Sequence, residues 1–146
     1  MANHDSIHVT PTTAVSAASL VEAADAEVGN ITPSQAVELT DDPSVQFIDV
    51  RDIRELAKTG RIPGAKHCPR GMLEFWIDPQ SPYHKPKFAQ DARFVFYCAS
   101  GWRSALAAQT ALNMGLKDAT HLKGGITAWI EAGLPTQMQA KAQSDV

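Results

Sequence analysis

The apolar positions of this chain fall into short, dense runs separated by stretches with helical spacing. Val45-Gln-Phe-Ile-Asp-Val50 and Phe94-Val-Phe-Tyr97 are nearly continuous apolar runs bounded by turn residues, the pattern of strands buried on both faces of a parallel sheet. Ala65-Lys-His-Cys68, closed by Pro69, and Ala119-Thr-His-Leu122 are shorter candidates for the same sheet. Between them lie the helices. Thr32-Pro33-Ser34 starts one, with Ala36, Val37 and Leu39 on its apolar side, and Asp41-Asp42-Pro43 breaks it. Asp52 to Lys58 is a short helix with Asp52 near its N-terminus, a placement that suits the helix dipole. After Arg103, the residues Ala105, Leu106, Ala108 and Leu112 form an amphipathic stripe of strong helix formers. Lys123-Gly-Gly125 turns into a last helix carrying Ile126, Trp129 and Ile130, with Trp129 in the core, and Gly133-Leu-Pro135 stops it. Strands alternating with helices predict an α/β fold, a parallel sheet covered on both faces with ligands at the strand C-termini.

The flanks carry less pattern. Residues 1–13 are polar and aperiodic and are read as disordered. Ala14 to Val28 reads as a short helix ended by Gly29-Asn30, either packed on the domain or offered to a partner. The expected organisation is an N-terminal extension over 1–30, one domain over 31–135 and a flexible tail over 136–146.

Composition narrows the class. At 146 residues with 44% hydrophobic content, the chain suffices for a single two-sided core. A formal net charge of −3 gives no reason to expect nucleic acid or a membrane surface as partner. No stretch reaches the ~18 apolar residues of a membrane span, and the start, Met-Ala-Asn-His-Asp-Ser, lacks a basic region. The two cysteines, Cys68 and Cys98, have no C-x-x-C spacing, which fits a reducing compartment. The expectation is a cytoplasmic protein.

The chemistry gathers at Cys98-Ala-Ser-Gly-Trp-Arg103. A strand, a tight loop and a helix set Cys98 where loop N–H groups and the positive helix end converge, which favours thiolate over thiol. A lone cysteine at a strand end is more often a small buried hydrophobe. The loop tips the reading towards catalysis: Gly101 suits unusual dihedrals, Ser100 can donate a hydrogen bond, and Arg103 has no packing reason to be there. Four residues between Cys98 and Arg103 make a ring sized for one extra sulfur atom, whereas one more residue would widen it for a tetrahedral phosphate.

With that loop, the stretches Phe47-Ile-Asp-Val-Arg51, Gly60-Arg-Ile-Pro-Gly-Ala65 and Gly124-Gly-Ile-Thr-Ala-Trp129 stand in a recognisable order. Over about residues 31–135 the chain resembles a single-domain rhodanese, a thiosulfate/3-mercaptopyruvate-type sulfurtransferase. The resemblance implies a central five-stranded parallel sheet with helices on both faces. It also implies that Cys98 takes a sulfane sulfur as a persulfide, held by the N–H groups from Ala99 to Arg103 (Ala99, Ser100, Gly101, Trp102 and Arg103), with Ser100 adding a hydroxyl. No metal and no organic cofactor is required. The expected partners are a small sulfur donor and a thiol acceptor, which includes a protein acceptor.

One departure bears on the donor. Rhodaneses that handle the thiosulfate dianion resemble one another in carrying basic residues inside the loop, but positions 99 and 100 are Ala and Ser here and Trp102 adds apolar surface at the mouth. A persulfide donor is therefore expected over thiosulfate, with Trp102 packing on a partner or on its own domain. A cysteine phosphatase or arsenate reductase is opposed by the six-residue loop. A non-catalytic interaction module is opposed by the retained Cys98 and Arg103.

Other candidates have plainer readings. Asp49 and Arg51 are active-site groups or an ion-pair network at the strand–helix corner; the resemblance favours the network. Cys68 is expected to be buried and inert, His67 structural, and His121 satisfied within the sheet. The loop Asp78 to Lys87, with three prolines, is long for a connector. It is either a plain surface lid or a cover that offers His84, Lys85 and Lys87 to an anionic donor.

Overall fold

The computed structural model describes residues 14–138. Five strands, β1 (Asn30–Ile31), β2 (Val45–Asp49), β3 (Lys66–His67), β4 (Arg93–Tyr97) and β5 (Ala119–Leu122), form one sheet in the order β1-β5-β4-β2-β3. Every pairing is parallel. The helices are α1 (Ala17–Val28), α2 (Pro33–Val37), α3 (Ile53–Thr59), α4 (Leu73–Ile77), α5 (Trp102–Asn113) and α6 (Gly125–Glu131). The expected α/β architecture, five parallel strands with helices on both faces, is what forms.

The strand alternation explains the two faces. Successive side chains of a strand point to opposite sides. Phe94, Phe96 and Cys98 thus join Ile48, Val50, Leu73 and Ala108 in one apolar cluster. Val95 and Tyr97 join Phe47, Leu122, Ile126 and Trp129 in the other. The alanines of α5 keep it close to the sheet: Ala105, Ala107, Ala108 and Ala111 are all buried.

Local caps set the helix bounds. Thr32 and Gln35 form a reciprocal capping box at α2, with Pro33 in the first turn, and Asp52 and Glu55 form another at α3. Ser16 caps α1 by accepting from the Ser19 N–H at 3.1 Å, so this helix begins at Ala17 rather than at the expected Ala14. α1 packs on α5 and β5 and buries Ala24, which makes it part of the folded domain.

The tail departs from expectation at its root. Arg61 and Gln137 exchange backbone hydrogen bonds of 2.9 and 2.8 Å as an antiparallel bridge, so the chain just beyond Thr136 is fixed against the turn that precedes β3. The expectations for residues 1–13 and 139–146 lie outside the described residues. Among the described residues, no helix is long and apolar enough to cross a membrane.

Candidate active site

Cys98 ends the β4 run at the C-terminal edge of the sheet and is 1% exposed. The loop after it folds back over the sulfur. The Gly101 N–H donates to Cys98 Sγ at 3.1 Å. Gly101 sits at φ +109°, in the left-handed region that favours glycine, and it is the N-cap of α5. The sulfur therefore meets a backbone donor at the positive end of a twelve-residue helix. Of the loop N–H groups expected to cradle it, Gly101 is the one with a hydrogen bond to Sγ. Ala99 is half-buried, Ser100 exposed, and Trp102 54% exposed.

A second element holds the loop from outside. The Ile126 N–H donates to the Cys98 carbonyl at 2.9 Å, and the Thr127 N–H to the Ala99 carbonyl at 3.2 Å. The first turn of α6 thereby spends its orphan donors on the Cys98 loop. Gly125 permits the approach: at φ +62°, any Cβ there would lie 2.4 Å from both the Cys98 and Ala99 carbonyl oxygens.

The charge of Arg103 is paired. Its guanidinium makes two hydrogen bonds to Glu55 of α3, at 2.9 and 3.0 Å. The pairing lowers the Glu55 carboxyl below its ordinary range against the opposing effect of burial, and raises Arg103. Glu55 thus serves both the α3 capping box and Arg103. It was not among the expected site residues, and its place three residues after Asp52 is a sequence signal for a capping box alone.

Arg51 and Asp49 are the structural network of the two readings offered. Both are fully buried, and Arg51 Nη2 lies 2.7 Å from Asp49 Oδ2. The remaining guanidinium donors go to Thr59 Oγ1 and the Gly60 carbonyl, each at 2.8 Å. Burial works against the Arg51 charge, and Asp49 overrides it. His67 belongs to the same corner, with Nε2 2.7 Å from the Arg51 carbonyl. Cys68 is fully buried with a free thiol, and desolvation pushes it up to about 12. It stays protonated and inert.

Two expectations need correction. Lys87 is only 5% exposed; its ammonium donates to the His67 carbonyl at 3.0 Å and lies 5.0 Å from the Trp76 ring centroid. Lys85 also lies over Trp76. The Lys87 charge is thus held inside the fold, because a buried ammonium needs acceptors. His121 is not satisfied within the sheet. Its ring joins Ser104 of α5, 2.9 Å from Nδ1, to Asp25 of α1, 2.5 Å from Nε2. Ser104 in turn accepts from the Cys98 thiol at 3.5 Å. The sequence signal for this chain of groups was slight: a histidine inside an apolar strand and a serine directly after Arg103.

A cavity of about 720 Å³ opens between Ile77, Phe88, Phe94 and Leu116. It lies at the opposite, N-terminal end of β4 and holds none of these groups. Among the described residues no cluster of three His, Cys, Asp or Glu side chains is arranged to hold a metal ion.

A cysteine at the end of a central parallel strand, in a six-residue loop closed by an arginine, defines a rhodanese-type site on a rhodanese-type sheet. The rhodanese-like domain family matches residues 32–132, and the chain belongs to that family. It is similar to the thiosulfate sulfurtransferase GlpE of Shewanella oneidensis, 32% identical over 103 residues that cover 70% of this chain and 93% of that protein. It is 28% identical over 114 residues to the mouse thiosulfate sulfurtransferase/rhodanese-like domain-containing protein 3, covering 75% and 73%. Some relatives are longer: the chain matches 28% of the length of the probable adenylyltransferase/sulfurtransferase MoeZ of Mycobacterium tuberculosis, at 35% identity over 78% of this chain. Among solved structures, a Rhodopseudomonas palustris protein of unknown function, described as a possible tyrosine phosphatase, superposes with a TM-score of 0.85. It is 46% identical, covering 88% of this chain and 99% of that one.

Proposed function

We propose that the chain is a sulfurtransferase that carries a sulfane sulfur on Cys98. The observation that carries this reading is the Cys98 sulfur at the end of β4, receiving the Gly101 N–H at 3.1 Å under the N-terminus of α5. In the first step Cys98 thiolate attacks the outer sulfur of a donor R–S–S⁻. The new bond joins the two sulfurs, the donor S–S bond breaks, and R–S⁻ leaves with the electron pair. In the second step an acceptor thiolate, of a small molecule or a protein, attacks the outer sulfur and releases Cys98 thiolate. The loop N–H groups from Ala99 to Arg103 hold the transferred sulfur between the steps. The chemistry needs no metal or organic cofactor.

The donor is a persulfide rather than thiosulfate. Arg103 is neutralised by Glu55, positions 99 and 100 carry no charge, and Trp102 gives the mouth an apolar wall. A dianion gains little there. The phosphatase description of the R. palustris neighbour is not adopted for this chain, since a phosphate dianion asks for a wider loop and a free arginine.

The test is intact mass after incubating the reduced protein with glutathione persulfide and, separately, with thiosulfate. A gain of about 32 Da, one sulfur atom, is expected with the persulfide and not in Cys98→Ser. No gain with either donor, in folded protein with a free Cys98 thiol, would leave a binding module instead.

A further inference from the structure

Past the loop, the hydrogen bonds of Cys98 continue into the fold. Cys98 Sγ lies 3.5 Å from Ser104 Oγ, which lies 2.9 Å from His121 Nδ1, and His121 Nε2 lies 2.5 Å from Asp25 Oδ1. Ser104 and His121 are buried, 0% and 3% exposed. The Asp25 side chain is 39% exposed, so the line runs from a buried thiol to solvent on the α1 side. We propose that Ser104, His121 and Asp25 form a proton relay that receives the Cys98 proton inward and leaves the thiolate facing the donor.

The donor and acceptor roles are mutually consistent along the whole line. Asn30 Nδ2 donates to both Asp25 oxygens at 3.1 Å. The His121 hydrogen bond, followed by that of Asn30, keeps the Asp25 carboxyl below its ordinary range against its partial burial. An ionised carboxylate only accepts, so the proton between it and His121 sits on Nε2. In the neutral ring Nδ1 is then an acceptor, Ser104 O–H donates to it, and the Ser104 lone pair is left to accept the thiol. Transfer keeps the count of protons. The S–H bond breaks as its proton joins Ser104 Oγ, and the serine's own proton passes to Nδ1. The products are a thiolate receiving the Gly101 N–H and the Ser104 O–H, and an imidazolium against Asp25. The imidazolium faces the Asp25 carboxylate and the sulfur faces the Gly101 N–H.

Other charges act on both ends. Lys123 acts on Asp25, and Arg103, with Glu55 and Asp49 acting on it, faces Cys98. The variants below leave all of these in place. Asp25 lies outside the residues matched by the family, so this end of the line belongs to α1.

The proposal rests on Cys98 being a nucleophile, and its test avoids sulfur transfer. Cys98 alkylation by iodoacetamide is followed by intact mass from pH 5 to 10 in the full chain; Cys68, pushed up to about 12, stays silent. Asp25→Asn and Ser104→Ala are expected to slow alkylation about tenfold near neutral pH, a shift of about one pH unit, and to converge on the parent rate at the alkaline end. Thermal melts are run alongside; should Ser104→Ala fail to fold, Asp25→Asn on the outer helix decides alone. An unchanged rate profile in folded Asp25→Asn, or a loss that is equal at every pH, would overturn the relay. Fast, pH-shifted alkylation in a parent chain that takes no sulfur from any donor would uphold the relay and sink the sulfurtransferase reading.

Discussion

If the chain transfers sulfur as proposed, Glu55 is the residue on which donor choice turns. It caps α3 and neutralises Arg103 with two hydrogen bonds. Glu55→Gln keeps an acceptor for the Asp52 N–H and removes the charge opposite Arg103. The freed guanidinium then favours a dianion at the mouth. The thiosulfate KM should fall by up to about fivefold, the ~1 kcal/mol of a partly exposed pair, while the KM for glutathione persulfide moves less. Initial rates with the two donors check this; equal changes for both would remove Glu55 from donor selection. At this scale the sequence was only partly legible. Cys98 and its loop announced themselves through local spacing. The partners of Arg103 and His121 did not, since Glu55 is 48 positions from Arg103 and Asp25 is 96 from His121. Lys87 misled for the same reason: a lysine in a polar, proline-broken loop looks solvated until Trp76 and the His67 carbonyl are seen around it.

At the scale of elements, α6 matters as much to the site as α5. Gly125→Ala forces a Cβ to within 2.4 Å of the Cys98 and Ala99 carbonyl oxygens and adds strain at φ +62°. It should cost at least ~2 kcal/mol and weaken sulfur loading of Cys98. Gly133→Ala is the comparison, with φ +77° and open space around it. Urea unfolding of both, read with mass-detected loading, separates backbone strain from the close approach; equal losses would show that the contact with the loop is unimportant. The element order was legible because short, nearly continuous apolar runs alternate with stretches of helical spacing. The ends were not. Ser16 and Gln137 owe their roles to one local cap and one distant bridge, neither of which leaves an apolar pattern.

Across the whole molecule, the buried Asp49–Arg51 pair ties three elements together. Arg51 bonds Asp49 at the end of β2, Thr59 and Gly60 at the end of α3, and through its carbonyl His67 in β3. Asp49→Asn leaves the guanidinium charge buried without its counter-ion. That should cost about 3–5 kcal/mol, measured as a lowered urea midpoint with the slope unchanged. A loss under ~1 kcal/mol would show that the corner is held by packing rather than by the pair.

The two carbonyls that Ile126 and Thr127 hold have a consequence for how such a site can change its chemistry. Those anchors pin the first half of the ring around the sulfur to the start of α6. A seventh residue placed between Ala99 and Arg103 leaves both in place and widens only the half nearer Arg103. One placed between Cys98 and Ala99 moves the two held carbonyls apart, so one anchor is lost unless the start of α6 moves with it. Widening the first half of the loop therefore asks for a matching change at the start of α6, 28 residues further along the chain.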